Sequence, residues 1–155
     1  MAVVLADVLD ETQVVLDLRG QTLEAALREI VETMTGNTKL RDPEKFVAQV
    51  LARERATTTF VGNGVAFPHA RTELVTQISL GIGRSPEGVP FGDDGQRAKL
   101  IFDIAVPQRM VTDYLVCVGA LARLTREEKT RDALMNAATP TEFVQILREG
   151  SLLLE

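Results

Sequence analysis

Residues Arg53-Glu54-Arg55-Ala56-Thr57-Thr58-Thr59-Phe60-Val61-Gly62-Asn63-Gly64-Val65-Ala66-Phe67-Pro68-His69-Ala70 are where the chain changes character. Up to Arg53-Glu54 apolar residues recur with a helical period. From Ala56 that period fails, and Thr57 to Val61 is β-prone. Gly62-Asn63-Gly64 then supplies strong turn chemistry, and Val65-Ala66-Phe67 reads as a short strand ending at Pro68. The stretch is thus a junction between a helical half and a sheet, with the only histidine of the chain, His69, at its end.

Upstream of the junction, Thr22 caps a segment whose Leu23, Ala26, Leu27, Ile30, Val31 and Met34 share one face, and Gly36-Asn37 stops it. Asp42-Pro43 reads as a helix cap and first helical residue, followed by Phe46, Val47, Val50 and Leu51 on one face. This second helix delivers Arg53 to the junction. Downstream, Ile78, Leu80 and Ile82 alternate with small residues, and Leu100, Phe102, Ile104 and Val106 alternate with Lys99, Ile101, Asp103 and Ala105. These are two strands, expected to be joined by a loop from Arg84 to Gln96. Leu115, Val118, Leu121 and Ala122 mark one helical face, and Thr125 with Glu128 and Thr139-Pro140 with Glu142 mark two further capped starts. The order predicts an α/β fold, one domain over residues 1–155, with a central mixed β-sheet flanked by helices on its faces.

Composition bounds the function. The 155 residues are 45% apolar and 25% charged, an ordinary globular balance. Lys and Arg number 17 against 22 Asp and Glu, a net charge of -5 spread along the chain, so no basic footprint for nucleic acid exists. No apolar run is long enough to span a bilayer, and Met1 to Asp10 has no basic region ahead of its apolar residues, which predicts neither membrane insertion nor export. One cysteine, Cys117, allows no internal disulfide and fits a reducing cytoplasm.

His69 is the natural nucleophile. At an ordinary pKa of ~6.5 its imidazole keeps a neutral nitrogen at cytoplasmic pH, and a phosphorus–nitrogen bond is labile enough to release what it accepts. A lone histidine is more often structural, so its neighbours decide. Arginine forks suit phosphate oxygens, but on residue chemistry alone Arg53, Arg55 and Arg71 are equal. The amides of Gly62, Asn63 and Gly64 form either an anion nest or a plain hairpin turn. Thr59 offers a hydroxyl to imidazole or phosphate, or is an ordinary strand threonine. One histidine and one distant cysteine are too few soft ligands for a metal centre, and no cofactor is expected.

The stretch Arg53 to Ala70 closely resembles the signature of the fructose/mannitol/nitrogen-type IIA domains of the bacterial sugar phosphotransferase system, in which the histidine after Ala-x-Pro is phosphorylated. The resemblance continues through Gly88-Val89-Pro90-Phe91-Gly92-Asp93-Asp94-Gly95, Leu100 to Pro107, and the helix around Leu115 to Leu124. It implies a phosphoryl carrier: His69 as the phosphorylated residue, Arg53 as the phosphate clamp, and Thr59 at a threonine of the family pattern. It implies an HPr-like phosphodonor protein, and as acceptors either a IIB-domain cysteine or regulatory targets of the nitrogen-type proteins. Partner docking is expected on apolar surface around the site, including Phe60 and Phe67. Two departures stand out. Tyr114 occupies the place where many members carry a second histidine, and Phe60 replaces a glycine before the turn. Cys117, inside an apolar helix, reads as a structural thiol rather than a IIB cysteine. The alternative to a carrier is a non-phosphorylated regulatory binding module that keeps the IIA fold.

Overall fold

The computed structural model describes residues 3–92 and 94–154; Asp93 of the acidic loop lies outside the described residues. The second and third helices start as their sequences dictate. The Thr22 hydroxyl accepts from the Ala25 amide at 3.1 Å to open α2 (Leu23–Thr33), and the Asp42 carboxylate accepts from the Lys45 amide at 3.2 Å to open α3 (Pro43–Ala56). Before them lie α1 (Leu5–Val8), a 3-10 turn (Glu11–Gln13) and β1 (Val14–Val15). These three carry no signal in the sequence, because each is too short for a periodic pattern to register.

After α3 come β2 (Phe60–Gly62), β3 (Val65–Ala66), β4 (His69–Arg71), β5 (Ser79–Phe91) and β6 (Gln96–Val106). The sheet order is β1-β5-β6-β3-β2, and β4 also pairs with β6 beyond the end of β3. The sheet is mixed: β1 runs parallel to β5, and β3 and β4 parallel to β6, while β5–β6 and β2–β3 are antiparallel.

The expected Arg84–Gln96 loop is instead mostly strand. β5 continues to Phe91, with Val89 opposite Ala98 and Phe91 opposite Gln96, after an irregularity between Arg84 and Val89. Gly88, at φ +86, makes that bulge. Pro90 is tolerated because, among the described residues, β1 pairs with β5 at Ile82 and Gly83 and not at its far end, which is an edge. Glycine, proline and acidic residues disguise a strand whose inward positions, Val89 and Phe91, are fully buried.

The chain closes with α4 (Val111–Arg126), α5 (Glu128–Asn136) and α6 (Pro140–Leu153). Thr139 caps α6 by accepting from the Glu142 amide at 3.1 Å, and the Glu142 carboxylate takes the Ala138 amide at 2.9 Å. Thr125 does not cap α5. It is buried inside α4 and gives its hydroxyl to Leu121 O at 2.8 Å, so α5 starts after Glu127 with no side-chain cap.

Two cores flank the sheet. Leu100, Phe102, Ile104 and Val106 of β6 pack toward Leu121, Leu134, Phe143 and Leu147 of the C-terminal helices. Ile101 and Ala105 pack toward Ile30, Val31, Phe46 and Val50 of α2 and α3. A strand buried on both faces is apolar throughout. That makes Asp103, fully buried between Phe102 and Ile104, the anomaly of the sheet.

Candidate functional site

Short β4 holds His69. Among the described residues it pairs with β6 on one side only, with His69 opposite Ile104 and Arg71 opposite Val106, and its other edge carries no strand. The His69 Nδ1 lies 3.0 Å from Phe67 O. A carbonyl only accepts, so Nδ1 carries the proton and Nε2 is left with an unshared lone pair. Burial pushes the imidazole below its ordinary pKa; the Phe67 carbonyl pulls it up, Arg53 pushes it down, and Glu54 pulls it up. The net direction is downward, so the ring is neutral at neutral pH.

Three of the sequence-predicted residues meet here. Arg53, in the last turn of α3, lines a cavity of about 420 Å³ together with Gln49, Ala52, His69, Ala70 and Arg71. Its Nη1 donates to Thr57 O at 2.9 Å, which tethers the guanidinium to the end of its own helix and leaves its remaining N–H groups available. Tyr114, near the start of α4, sets its ring 5.0 Å from the His69 ring, tilted by 33°. Burial raises the Tyr114 phenol above its ordinary pKa, with Arg53 opposing, so the hydroxyl stays protonated and uncharged.

Two further residues or turns expected at the site have other partners. Thr59 gives its hydroxyl to neither imidazole nor an open phosphate position: it donates to Glu54 Oε1 at 2.6 Å, and its amide donates to Glu54 Oε2 at 2.8 Å. The threonine thereby fixes the residue next to Arg53. Gly62, Asn63 and Gly64 do not converge on His69. All three have positive φ, as a tight hairpin between β2 and β3 demands, and Gly64 O accepts from the Lys99 and Leu100 amides. His69 sits opposite Ile104, four residues of β6 beyond Leu100 and so about 13 Å away. The turn borders a separate cleft of about 200 Å³ with Ala122, Thr125 and Arg126 of α4.

Phe67 offers no open docking surface, whereas Phe60 is half-buried. Phe67 is buried, stacked on Phe102 at 5.5 Å, and Phe60 leans on Phe91 at 6.2 Å. Exposed apolar side chains instead include Leu115 and Val116, next to Tyr114 in α4, and Val61 in β2. Cys117 is buried, its thiol pushed up to about 11 by burial, with Asp113 and Asp7 adding to the rise; it is no nucleophile. Glu54 is the neighbour of the site that sequence reasoning misses. Its only signal is a carboxylate five residues before a β-prone threonine, a spacing no helical or strand template scores.

Residues 7–150 match the family described as the phosphoenolpyruvate-dependent sugar phosphotransferase system, EIIA 2. The chain belongs to this EIIA family. The fructose-specific EIIA component of Haloferax volcanii is 32% identical over 129 residues, covering 83% of this chain and 84% of that protein. The fructose-specific EIIABC component of Bacillus subtilis is 28% identical over 146 residues, 94% of this chain but 23% of that longer protein. Among solved structures, the nitrogen regulatory protein IIA-Ntr of Neisseria meningitidis superposes with a TM-score of 0.82 at 27% identity, covering 92% of this chain and 97% of that one. The EIIA fold therefore accounts for the mixed sheet and its two helical faces. Among the described residues no cluster of His, Cys, Asp and Glu is arranged to hold a metal ion, and no helix is long and apolar enough to cross a membrane.

Proposed function

We propose that this EIIA is a phosphoryl carrier in which His69 Nε2 accepts the group and gives it up again. The observation that carries the reading is the 3.0 Å contact between His69 Nδ1 and the Phe67 carbonyl: it keeps the proton on Nδ1 and leaves Nε2 as the free nucleophile beside Arg53. With a phosphohistidine of an HPr-like donor protein as the source, the donor's P–N bond breaks as the P–Nε2 bond forms. The Nδ1 proton stays on the Phe67 hydrogen bond, so no proton need leave the ring. Phosphoryl transfer asks for in-line positioning and charge stabilisation. Arg53 supplies a fixed fork for the equatorial oxygens, and the Tyr114 hydroxyl adds an uncharged donor.

The onward acceptor is a IIB-domain cysteine or, in a nitrogen-type role, no acceptor at all, the phosphorylated state itself controlling target binding. Likeness to IIA-Ntr supports the second role, and likeness to the fructose components supports the first. The exposed Leu115, Val116 and Val61 offer the apolar docking surface for either partner. The chain works as one EIIA domain in the cytoplasm.

Incubation with phosphoenolpyruvate, the general phosphotransferase enzyme and HPr, read by intact mass, tests the proposal. One acid-labile phosphoryl group on the wild type and none on His69→Ala is the expected result. No adduct from several donor pairs, with target binding indifferent to His69, replaces the carrier with a non-phosphorylated binding module.

A further inference from the structure

We propose that Arg71 is a second phosphate-contacting residue, forming with Arg53 a two-arginine cradle around His69 Nε2. The inference deepens the carrier reading and rests on it for its biological meaning, but not for its test. Four observations carry it. First, Arg71 lies two residues from His69 on β4, and strand side chains alternate, so both project from the same face at a spacing of about 7 Å. Second, Arg71, Arg53 and His69 all line the same cavity of about 420 Å³, whereas Arg55 does not. Third, neither Arg53 nor Arg71 takes part in any ion pair among the described residues, in a chain with more acidic than basic side chains. Fourth, the β4 backbone adds donors. The Thr72 amide goes to Val106 O and Pro68 O takes the Ile104 amide, so the alternation of the parallel ladder turns the amides of His69 and Arg71 to the free edge.

Charge arithmetic gives the pair its purpose. A phosphoryl group at neutral pH carries a charge of about -1.5 to -2. One guanidinium leaves it under-compensated, and the neighbouring aromatic residue, Tyr114, has no charge to give. Two guanidiniums bring the site close to balance. Arg71 thus takes the electrostatic place that a second ionisable ring next to His69 would otherwise fill.

The sole histidine makes the test direct, because one imidazole reports the site in a two-dimensional NMR spectrum. The unphosphorylated protein is titrated with inorganic phosphate at fixed ionic strength, for wild type, Arg71→Gln, Arg71→Lys and Arg53→Gln, each checked for an unchanged melting curve. Arg71 is exposed, so its variants should fold. The expected result is saturable movement of the His69 signals, weakened about tenfold in Arg71→Gln and in Arg53→Gln, and largely restored in Arg71→Lys. Wild-type affinity in Arg71→Gln, or a wild-type His69 that phosphate does not move, overturns the proposal. Phosphate binding that needs both arginines, in a protein that no donor phosphorylates, would keep the cradle and remove the carrier. Normal phosphorylation in Arg71→Gln with unaltered affinity would do the reverse.

Discussion

Replacing Asp103 should make the protein more stable. Its carboxyl is fully buried in the middle of β6, neither oxygen has a hydrogen-bond partner among the described residues, and the residue opposite on β5 is Gly81, which has no side chain to offer. Burial alone raises its pKa well above the ordinary carboxylate value; no charge contributes. The cost has two parts. Leaving a buried polar group unpaired costs about 1–3 kcal/mol, and the void left on truncation to alanine would return about 0.5–1 kcal/mol of that. Asp103→Ala should therefore gain on the order of 1 kcal/mol, or roughly 2–4 °C in Tm for a domain of this size. The second part depends on pH. Because the folded-state pKa is raised, Asp103 keeps its proton in the folded protein above about pH 4 where the unfolded chain loses it, so this group's contribution to stability is fully present below that pH and is lost as pH rises toward the folded-state pKa, by up to ~1.4 kcal/mol per pH unit. Asp103→Asn keeps the shape and cannot ionise, so its advantage over wild type should widen as pH rises through that window. Urea unfolding of wild type, Asp103→Ala and Asp103→Asn across this range measures both parts. Parallel wild-type and Asp103→Asn profiles, or an alanine variant clearly less stable than wild type, would show that the buried carboxyl carries no such penalty.

Other consequences follow from single contacts. Buried Arg84 donates to Leu16 O, Leu134 O and Ala137 O, tying the sheet to the end of α5, so Arg84→Met should destabilise by about 3 kcal/mol in urea unfolding. Gly64, at φ +75, belongs to the hairpin and not to the His69 cavity; Gly64→Ala should lose about 1 kcal/mol of stability while phosphorylation of His69 proceeds at the wild-type rate. Glu54, clasped by Thr59, pulls the His69 pKa up, so Glu54→Gln should lower that pKa in an NMR titration, and Thr59→Val should move it the same way by loosening the clasp.

The caps at Thr22 and Asp42 and the alternation in Leu100–Val106 are legible in the sequence itself, because each rests on local chemistry carried by a few consecutive residues. The extension of β5 is hidden there because Gly88 and Pro90, usually loop residues, sit at a bulge and on an uncovered edge, facts set by which strands lie alongside. The site divides the same way. His69, Arg53 and Tyr114 are legible through resemblance to a family pattern, and the fold brings them together. The Gly62–Gly64 turn stands apart because nearness in sequence to His69 is not nearness in space: β3 and β4 pair with successive parts of β6, which spreads turn and histidine along one strand. Thr59 stays close, its carbonyl accepting from the Phe67 amide, but its hydroxyl goes to Glu54, a partner that a linear pattern does not show.

Everything proposed for the site turns on His69 Nε2 being the atom that carries phosphate. Phosphorus–nitrogen NMR can identify that atom, on protein whose imidazole is labelled with nitrogen-15 and which has been phosphorylated by phosphoenolpyruvate, the general enzyme and HPr. One phosphohistidine is expected, coupled through Nε2, with Nδ1 still protonated toward Phe67. A phosphoryl group on Nδ1, or on any residue other than His69, would be incompatible with the tautomer and the cradle described above.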